Sequence, residues 1–479
     1  MQYFVLSLAG KPIFTRLPSE KFVLQSASLV ALVSFSEASS VYLKSITFDD
    51  GSALVAVRKG GIVIGAKGKG DRGYMRLVCE YVYSQIVSTL TIKVQSIFRK
   101  SSKFDLRSML TSTDAIIQGL IDKSESTGCL LTGAVESVPL KKSVRKELSR
   151  VMVTAAEKVS NTVFGVVVSE GKLLTVVQPR SPTIRMSSTD LVLLCNFASV
   201  QKKTLMNSES WFPLCLPGFN AGGFLYCYCY CLHEAAGMFL MLMSNVNTPD
   251  MFHSFQQARL AISAALNITG EGAGVAEGGK EEGGGGDFVS GVLESMEDRE
   301  RRAASRYSAP AGVLHFLYRG DFQVGGGSTT TQGTGGGGKI VQCLSPGAGF
   351  PFVGGGEDGR GRIWREYQGM AGGLRGGWGG SRRGRKTGDE EEDDGTAFVT
   401  GEMDFVGKEA VRGRVEYKVK GAEMYVGIAG YGGEVYAVMP SVVGVEEGVR
   451  RVGILGRRIW EDREELFVVN PPVFGNMGG

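Results

Sequence analysis

LKSITFDDGSALVAVRKGGIVIGAKGKG, residues 43–70, reads as three short apolar runs separated by two tight turns. Leu43–Phe48, Ala53–Arg58 and Ile62–Ala66 have strand length and carry the Val and Ile that suit a pleated surface. Asp49-Asp50-Gly51 and Lys59-Gly60-Gly61 lie between them, each with Gly where a tight reversal needs it. Strands joined by connections this short run antiparallel, so the stretch predicts a meander.

Working outward, Tyr3–Leu8 and Pro12–Arg16 form a hairpin about Ala9-Gly10-Lys11. Pro18-Ser19-Glu20 opens a helix with Ser19 as N-cap, and Phe22, Val23, Ala27, Val30, Leu32 and Val33 recur at near-helical spacing to about Phe35. After the meander, Leu77, Tyr81, Ile86, Leu90 and Val94 mark a long helix from Asp71, and Asp105–Ser124 gives another. The order β-β-α-β-β-β-α-α predicts an α+β fold, an antiparallel sheet of about five strands with helices on both faces. A second unit of this kind follows. It has a strand Leu130–Val138, a helix Lys141–Lys158, a hairpin Val163–Val168 and Leu173–Gln178, a helix Ser187–Val200, strands Gly223–Leu232 and Met238–Met243, and a helix Pro249–Leu266. A third unit is interrupted: Val313–Tyr318, then Val411–Val419, Glu423–Ile428, Glu434–Val438 and a helix from Val445 to about Leu466. Gly-rich, charged composition across about 270–308 and 324–400 predicts disorder there, since such segments bury too little apolar surface to offset ordering entropy. The expected domains are 1–126, 127–268 and 311–470, with 269–310 as linker and about 324–400 as an insert.

Bulk composition narrows the class. Of 479 residues, 43% are apolar, enough for real cores, while 69 Gly leave part of the length unpacked. Lys plus Arg exceeds Asp plus Glu by 53 − 49, a net +4 that does not mark a nucleic-acid binder. Eight cysteines, three at Cys227, Cys229 and Cys231, do not form a secreted disulfide pattern. No signal peptide is readable at Met1–Ser7, and Gly222–Met243 is broken by His233-Glu234 into pieces too short to span a bilayer. These features predict a cytoplasmic chain that meets membranes from outside.

Further stretches carry a resemblance. Glu209-Ser210-Trp211, Pro213, Cys215-Leu216-Pro217, Phe219-Asn220 and Gly223-Phe224-Leu225 resemble the central signature of the Mon (SAND) family of vacuolar fusion proteins. Tyr3–Ser7 with Ala9–Ile13 resembles that family's first hairpin, and Phe104-Asp105-Leu106-Arg107 and His315-Phe316-Leu317-Tyr318 resemble two further markers. The resemblance implies three longin domains. It also implies a subunit of a heterodimeric guanine-nucleotide exchange factor, obligately paired with a Ccz-type longin subunit, acting on the late-endosomal Rab GTPase of the Rab seven type. Exchange works by binding the nucleotide-free GTPase more tightly than the GDP form, so no catalytic residue, cofactor or metal is implied. The implied Rab-contact surface is the outer side of the first helix with Lys44, Ser45, Phe48, Asp49 and Asp50, Asp50 at the family's acidic turn position. The implied setting is peripheral on late-endosome and vacuole membranes, with a phosphoinositide surface and the early-endosomal Rab as further partners and no nucleic acid. Lys141, Lys142, Arg145 and Lys146 on one helix are the candidate lipid-headgroup residues. Two departures stand out: the family's polar N-terminal extension has no counterpart before Met1, and the third unit's first helix is reduced to about Ile363–Met370.

Other chemistry is weak. His233, His253 and His315 are the only histidines, and no serine-nucleophile elbow, zinc-protease helix or P-loop is present. Cys227, Cys229, Cys231 and His233 alternate along a strand, spaced too widely for tetrahedral zinc, and read as small core residues. Gly65–Gly70 ahead of Asp71 could hold an anion but reads as a connection. The Arg-Gly stretch at 375–386 beside the acidic run at 389–394 reads as inert insert. A longin adaptor or tether without exchange activity is the alternative function.

Overall fold

A computed structural model describes residues 1–16, 20–39, 43–93, 107–110, 113–181, 183–206, 208–268, 288–297, 304–308, 311–323, 339–345, 357–374, 396–400, 414–430 and 432–475. Along the chain, β1 (Gln2–Ser7) and β2 (Pro12–Thr15) form the first hairpin, turning at Gly10 with φ of 76°. Helix α1 (Glu20–Ala38) precedes the meander of β3 (Ser45–Thr47), β4 (Ala53–Lys59) and β5 (Ile62–Gly68). Asp71 caps α2 (Arg72–Leu90) by accepting from the Tyr74 amide at 2.8 Å, and α3 (Asp114–Ser126) follows. Next come β6 (Val135–Glu136), α4 (Lys142–Glu157), β7 (Thr162–Ser169), β8 (Lys172–Pro179) and α5 (Ser188–Val200). After them lie β9 (Ser210–Leu214), β10 (Leu225–His233), β11 (Met238–Ser244), α6 (Pro249–Ala265) and α7 (Phe288–Glu297). The remainder is β12 (His315–Gln323), β13 (Lys339–Leu344), α8 (Glu357–Leu374), β14 (Thr396–Thr400), β15 (Arg414–Lys420), β16 (Glu423–Gly430), β17 (Gly433–Pro440), α9 (Val445–Glu461) and β18 (Val473–Phe474).

The chain divides into two compact units that are not consecutive in sequence. One comprises Met1–Gly133, Arg306–Tyr318 and Ser345–Arg457. It holds an antiparallel sheet ordered β2-β1-β5-β4-β3. Phe4, Leu6, Ala56 and Val63 meet Leu29, Val30 and Val33 of α1 in one apolar cluster. The alternate residue Tyr3 lies by Tyr74 and Cys79 of α2, so a helix covers each face. The same unit holds strands in the order β14-β15-β16-β17-β12. A methyl on Gly427 would come 3.0 Å from Leu374 and Met370 of α8, while on the other face Met424 and Met439 crowd Gly448 of α9. Both layers are α+β, as predicted.

The second unit comprises Ala134–Ser305, Arg319–Leu344 and Arg458–Gly479. Its sheet is ordered β18-β8-β7-β11-β10-β9. Helices α4, α6 and α7 pack on one face through Leu148, Met152, Phe255, Ile262, Phe288 and Val292, against Val167, Leu174, Tyr228 and Leu242. Two short parallel pairs, β18 with β8 and β13 with β6, depart from the all-antiparallel expectation. In each, one strand returns from a distant part of the chain, which a parallel pair permits and a hairpin does not.

Several expectations are corrected. The strand at Leu130–Val138 is a helical turn, Cys129–Thr132, ended by Gly133 at φ of 65°, with only Val135–Glu136 as strand. The helix over Asp105–Ser124 is two, Arg107–Leu110 and α3, and the one ending near Leu466 breaks after Glu461. The Gly-rich stretches are not wholly unstructured. Strand β13 buries Ile340, Cys343 and Leu344, and α7 buries Phe288, Val289 and Val292. Helix α8 runs the full Glu357–Leu374 rather than the reduced form expected. Ile363, Trp364, Tyr367, Met370, Ala371 and Leu374 recur on one face of it, a stripe that averaging over the surrounding glycines conceals. Ser19, Phe104-Asp105-Leu106 and the Arg-Gly and acidic runs lie outside the described residues.

Candidate interaction surfaces

Helix α1 is apolar nearly all round, a composition expected of a helix covered on every side. Its sheet side is covered: Leu29, Val30 and Val33 are buried. Its outer side is not, with Phe35 72% and Leu32 51% exposed. Beside it, Ile46, Phe48 and Leu54 of the β3–β4 edge complete a groove of about 260 Å³ together with Leu29, Leu32 and Lys67. Phe48 is 37% exposed, and the Lys67 ammonium sits 4.8 Å from its ring centroid, a cation–π contact. Lys44 and Ser45 lie at the start of this edge and Asp49 and Asp50 in its turn, so the segment named from the sequence does adjoin α1.

Asp50 itself has a local job. Its Oδ1 accepts the Ser52 amide at 2.8 Å, closing the turn whose Gly51 stands at φ of 76°. Hydrogen bonds from Ser52 lower its carboxyl pKa, with Lys69 and Lys67 adding to the effect. The sequence reading named the outer side of α1 without singling out Leu32 and Phe35, and it overlooked Lys67. The available signal was the missing polar face of α1.

On α4 the structure separates the four basic candidates. Lys141, Lys142 and Lys146 are exposed, Lys141 pairing with Glu294 of α7 at 3.5 Å and Lys142 with Glu464. Arg145 does not belong with them. It is buried, its guanidinium donating to the carbonyls of Leu174 and Val138 at 2.7 Å and of Glu465 at 3.1 Å. Burial lowers its pKa to about 10, so it stays charged at neutral pH and ties helix to sheet. A hollow of about 550 Å³ adjoins the remaining cations, lined by Lys142, Lys146, Ser149, Arg150, Val469 and Asn470 among others.

The signature around Trp211 builds structure. Asp190, buried at the start of α5, accepts the Gly218 amide at 2.9 Å and the Ser187 hydroxyl at 2.8 Å. A methyl on Gly218 would fall 2.0 Å from the Ser187 Oγ, so only glycine fits this clasp. Trp211 donates to Asn247 at 2.9 Å and lies parallel to Tyr226 with ring centroids 6.1 Å apart.

The remaining candidates resolve as packing. Gly65 faces the Phe4 ring, which would lie about 2.4 Å from an added methyl, so close packing accounts for that glycine. Cys227, Cys229 and Cys231 are buried opposite Met243, Met241 and Phe239. Burial pushes the Cys229 thiol to about 12 and Cys231 to about 11, which keeps them neutral and poor ligands or nucleophiles. Among the described residues no group of three His, Cys, Asp or Glu converges on a metal-sized site. His315 is buried with both ring nitrogens 3.2 Å from partners, Tyr367 and Ser345. No described helix is long and apolar enough to cross a membrane.

Comparison with known proteins agrees with this layout. Residues 1–120 match the family model described as the first longin domain of FUZ, MON1 and HPS1, and residues 160–262 match the second. Among curated relatives, the chain is 28% identical over 324 residues to vacuolar fusion protein MON1 of Yarrowia lipolytica, covering 66% of this chain and 54% of that one. It is 33% identical over 245 residues to MON1 homolog A of Gallus gallus, 50% of this chain and 44% of that one. For human MON1 homolog B the identity is 30% over 327 residues, 66% of this chain and 56% of that one. The chain thus spans about half the length of these relatives.

Proposed function

We propose that this chain, whose residues 1–120 and 160–262 match the first and second longin domains of FUZ, MON1 and HPS1, serves vacuolar fusion as one subunit of a heterodimeric exchange factor for a late-endosomal Rab. The observation that carries this reading is the uncovered side of α1, where Phe35 stands exposed and Leu32 lines the groove beside Ile46 and Phe48. Exposed aromatic and aliphatic residues clustered on one face mark a protein interface. A Ccz-type longin subunit and the Rab together occupy this surface, with Lys44, Ser45, Phe48, Asp49 and Asp50 at its margin. Nothing in such exchange requires an acid, a base, a metal or a cofactor. The protein selects the nucleotide-free GTPase by binding it more tightly than the GDP form.

Membrane attachment belongs to the second unit in this reading. Lys141, Lys142 and Lys146 present positive charge from α4 to an anionic phosphoinositide surface, with no part for the buried Arg145. The working location is the cytoplasmic face of late endosome and vacuole.

The test is release of a fluorescent GDP from the late-endosomal Rab, measured with this chain alone, with a Ccz-type partner, and with Phe35→Glu in that pair. Release accelerated only by the pair, and slowed at least about tenfold by Phe35→Glu, is the expected result. A well-assembled pair that leaves release unchanged would favour a longin adaptor or tether instead.

A further inference from the structure

Helices α4 and α6 lie side by side in the second unit, and between them runs a groove of about 380 Å³. Its floor is small and apolar, built from Val151, Ala155, Ala258 and Ile262. Along the α6 rim, Gln257, Ala261 and Ala265 are open to solvent. The α4 rim carries two exposed cations, Lys158 and Arg150, the latter paired with Glu147 at 2.6 Å. Liquid water takes about 30 Å³ per molecule, so a partner filling the groove would release roughly a dozen waters from an apolar floor.

The chain shows what such a surface accepts. Helix α7 carries Phe288, Val289, Val292 and Leu293 beside Glu294 and Glu297, apolar residues interleaved with acidic ones. Its apolar residues join the same cluster as α4 and α6, and Glu294 pairs with Lys141 at 3.5 Å. Gly291 of α7 lies over Val144, where an added methyl would make contact at 3.7 Å. The groove begins at Arg150, six residues further along α4 than Val144, or about two turns. The surface that seats one acidic amphipathic helix therefore continues past it, with the same alternation of apolar floor and cationic rim.

We propose that the α4–α6 groove is a docking site for an acidic amphipathic helix supplied by another protein. Its apolar stripe lies over Ala155, Ala258, Ala261 and Ala265, whose short side chains let a helix backbone come close. Its carboxylates face Arg150 and Lys158. This is helix-in-groove recognition, with anchors at i, i+3, i+4 and i+7. The site shares neither residues nor surface with the α1 groove, so it stands or falls apart from the exchange reading.

The experiment uses the whole chain and two synthetic helices of about 18 residues, leucine-striped alike, one flanked by glutamates and the other by lysines. Fluorescence anisotropy is read with wild type, with Ala261→Arg to fill the groove, and with Lys158→Glu to reverse its rim. Saturable binding of the acidic helix is expected, about tenfold or more weaker for the lysine helix and for each variant. Circular dichroism confirms that these exposed substitutions leave the chain folded. Equal binding of the two helices, or undiminished binding by Ala261→Arg, would overturn the proposal. So would either of two other results: self-association of the chain abolished by Ala261→Arg, or anionic vesicles binding the chain and being released by Lys158→Glu while neither helix binds. The first would make the groove a homodimer face and the second a membrane face.

Discussion

Two residues of one type can sit close in sequence and do unrelated work, and α4 provides the case. Lys142 and Arg145 are both basic and three positions apart, yet one is exposed and the other holds three backbone carbonyls inside the protein. Arg145→Ala strands those acceptors, so it should lower unfolding stability by about 3–5 kcal/mol. Lys142→Ala breaks only an exposed pair and should cost under about 1 kcal/mol. Urea denaturation of the two variants checks the contrast; similar costs would mean that the buried guanidinium is dispensable. His315 offers a second measurement. Burial holds its pKa at about 3, below the unfolded value of about 6.5. A depressed histidine leaves stability intact above about pH 6.5 and loses it as pH falls toward 3, because the unfolded chain takes up the proton first. At pH 5.5 the loss is about 1.4 kcal/mol relative to pH 8, and His315→Gln should abolish that component of the slope.

At the scale of elements, legibility followed what decides each one. The β3–β5 meander was readable because its turns carry their own chemistry, and α1 and α2 because apolar spacing survives in ordinary composition. Helix α8 was read only at its centre, Ile363–Met370, since glycines among its apolar residues lowered the average without breaking the stripe. The β6 segment misled because Leu130 and Leu131 are equally apolar in a helical turn and in a strand. Of the candidate surfaces, the position of the Lys44–Asp50 segment beside α1 was legible. The burial of Arg145 was not, because no local pattern tells a helix's inner cation from its outer ones. Strand β15 carries a prediction of its own. Glu416 is buried there, and desolvation raises its carboxyl to about 7 despite nearby Lys418. A raised carboxyl favours the folded state at low pH, and the benefit fades as pH climbs from about 4.5 through 7. Glu416→Gln should therefore raise the unfolding midpoint more at pH 8 than at pH 5. Equal gains at both pH values would place the carboxyl in contact with water.

For the whole molecule, the surfaces proposed for attachment and for exchange belong to different units, so the two activities should separate genetically. Lys142→Ala with Lys146→Ala removes two exposed cations, each worth about 1 kcal/mol at an anionic surface. Vesicle sedimentation should weaken by roughly 10–30-fold and more steeply at low salt, while exchange on a Rab in solution stays unchanged. Loss of both together would instead point to misfolding of the second unit.

The return of the chain's far end to β8 also sets a timetable for synthesis. Strand β18 adds to the outer edge of β8 at Gln178 and Pro179, and 473 − 178 is 295 residues of delay. A ribosome moving at about 5–20 residues per second needs roughly 15–60 s to deliver it. Over that interval the Gln178–Pro179 end of that edge lies open, while Ser137 bridges Leu173 at the other end, and an open edge invites edge-to-edge association. A longer interval prolongs that exposure, so slowing elongation between β8 and β18 should cost more yield than slowing it ahead of β8.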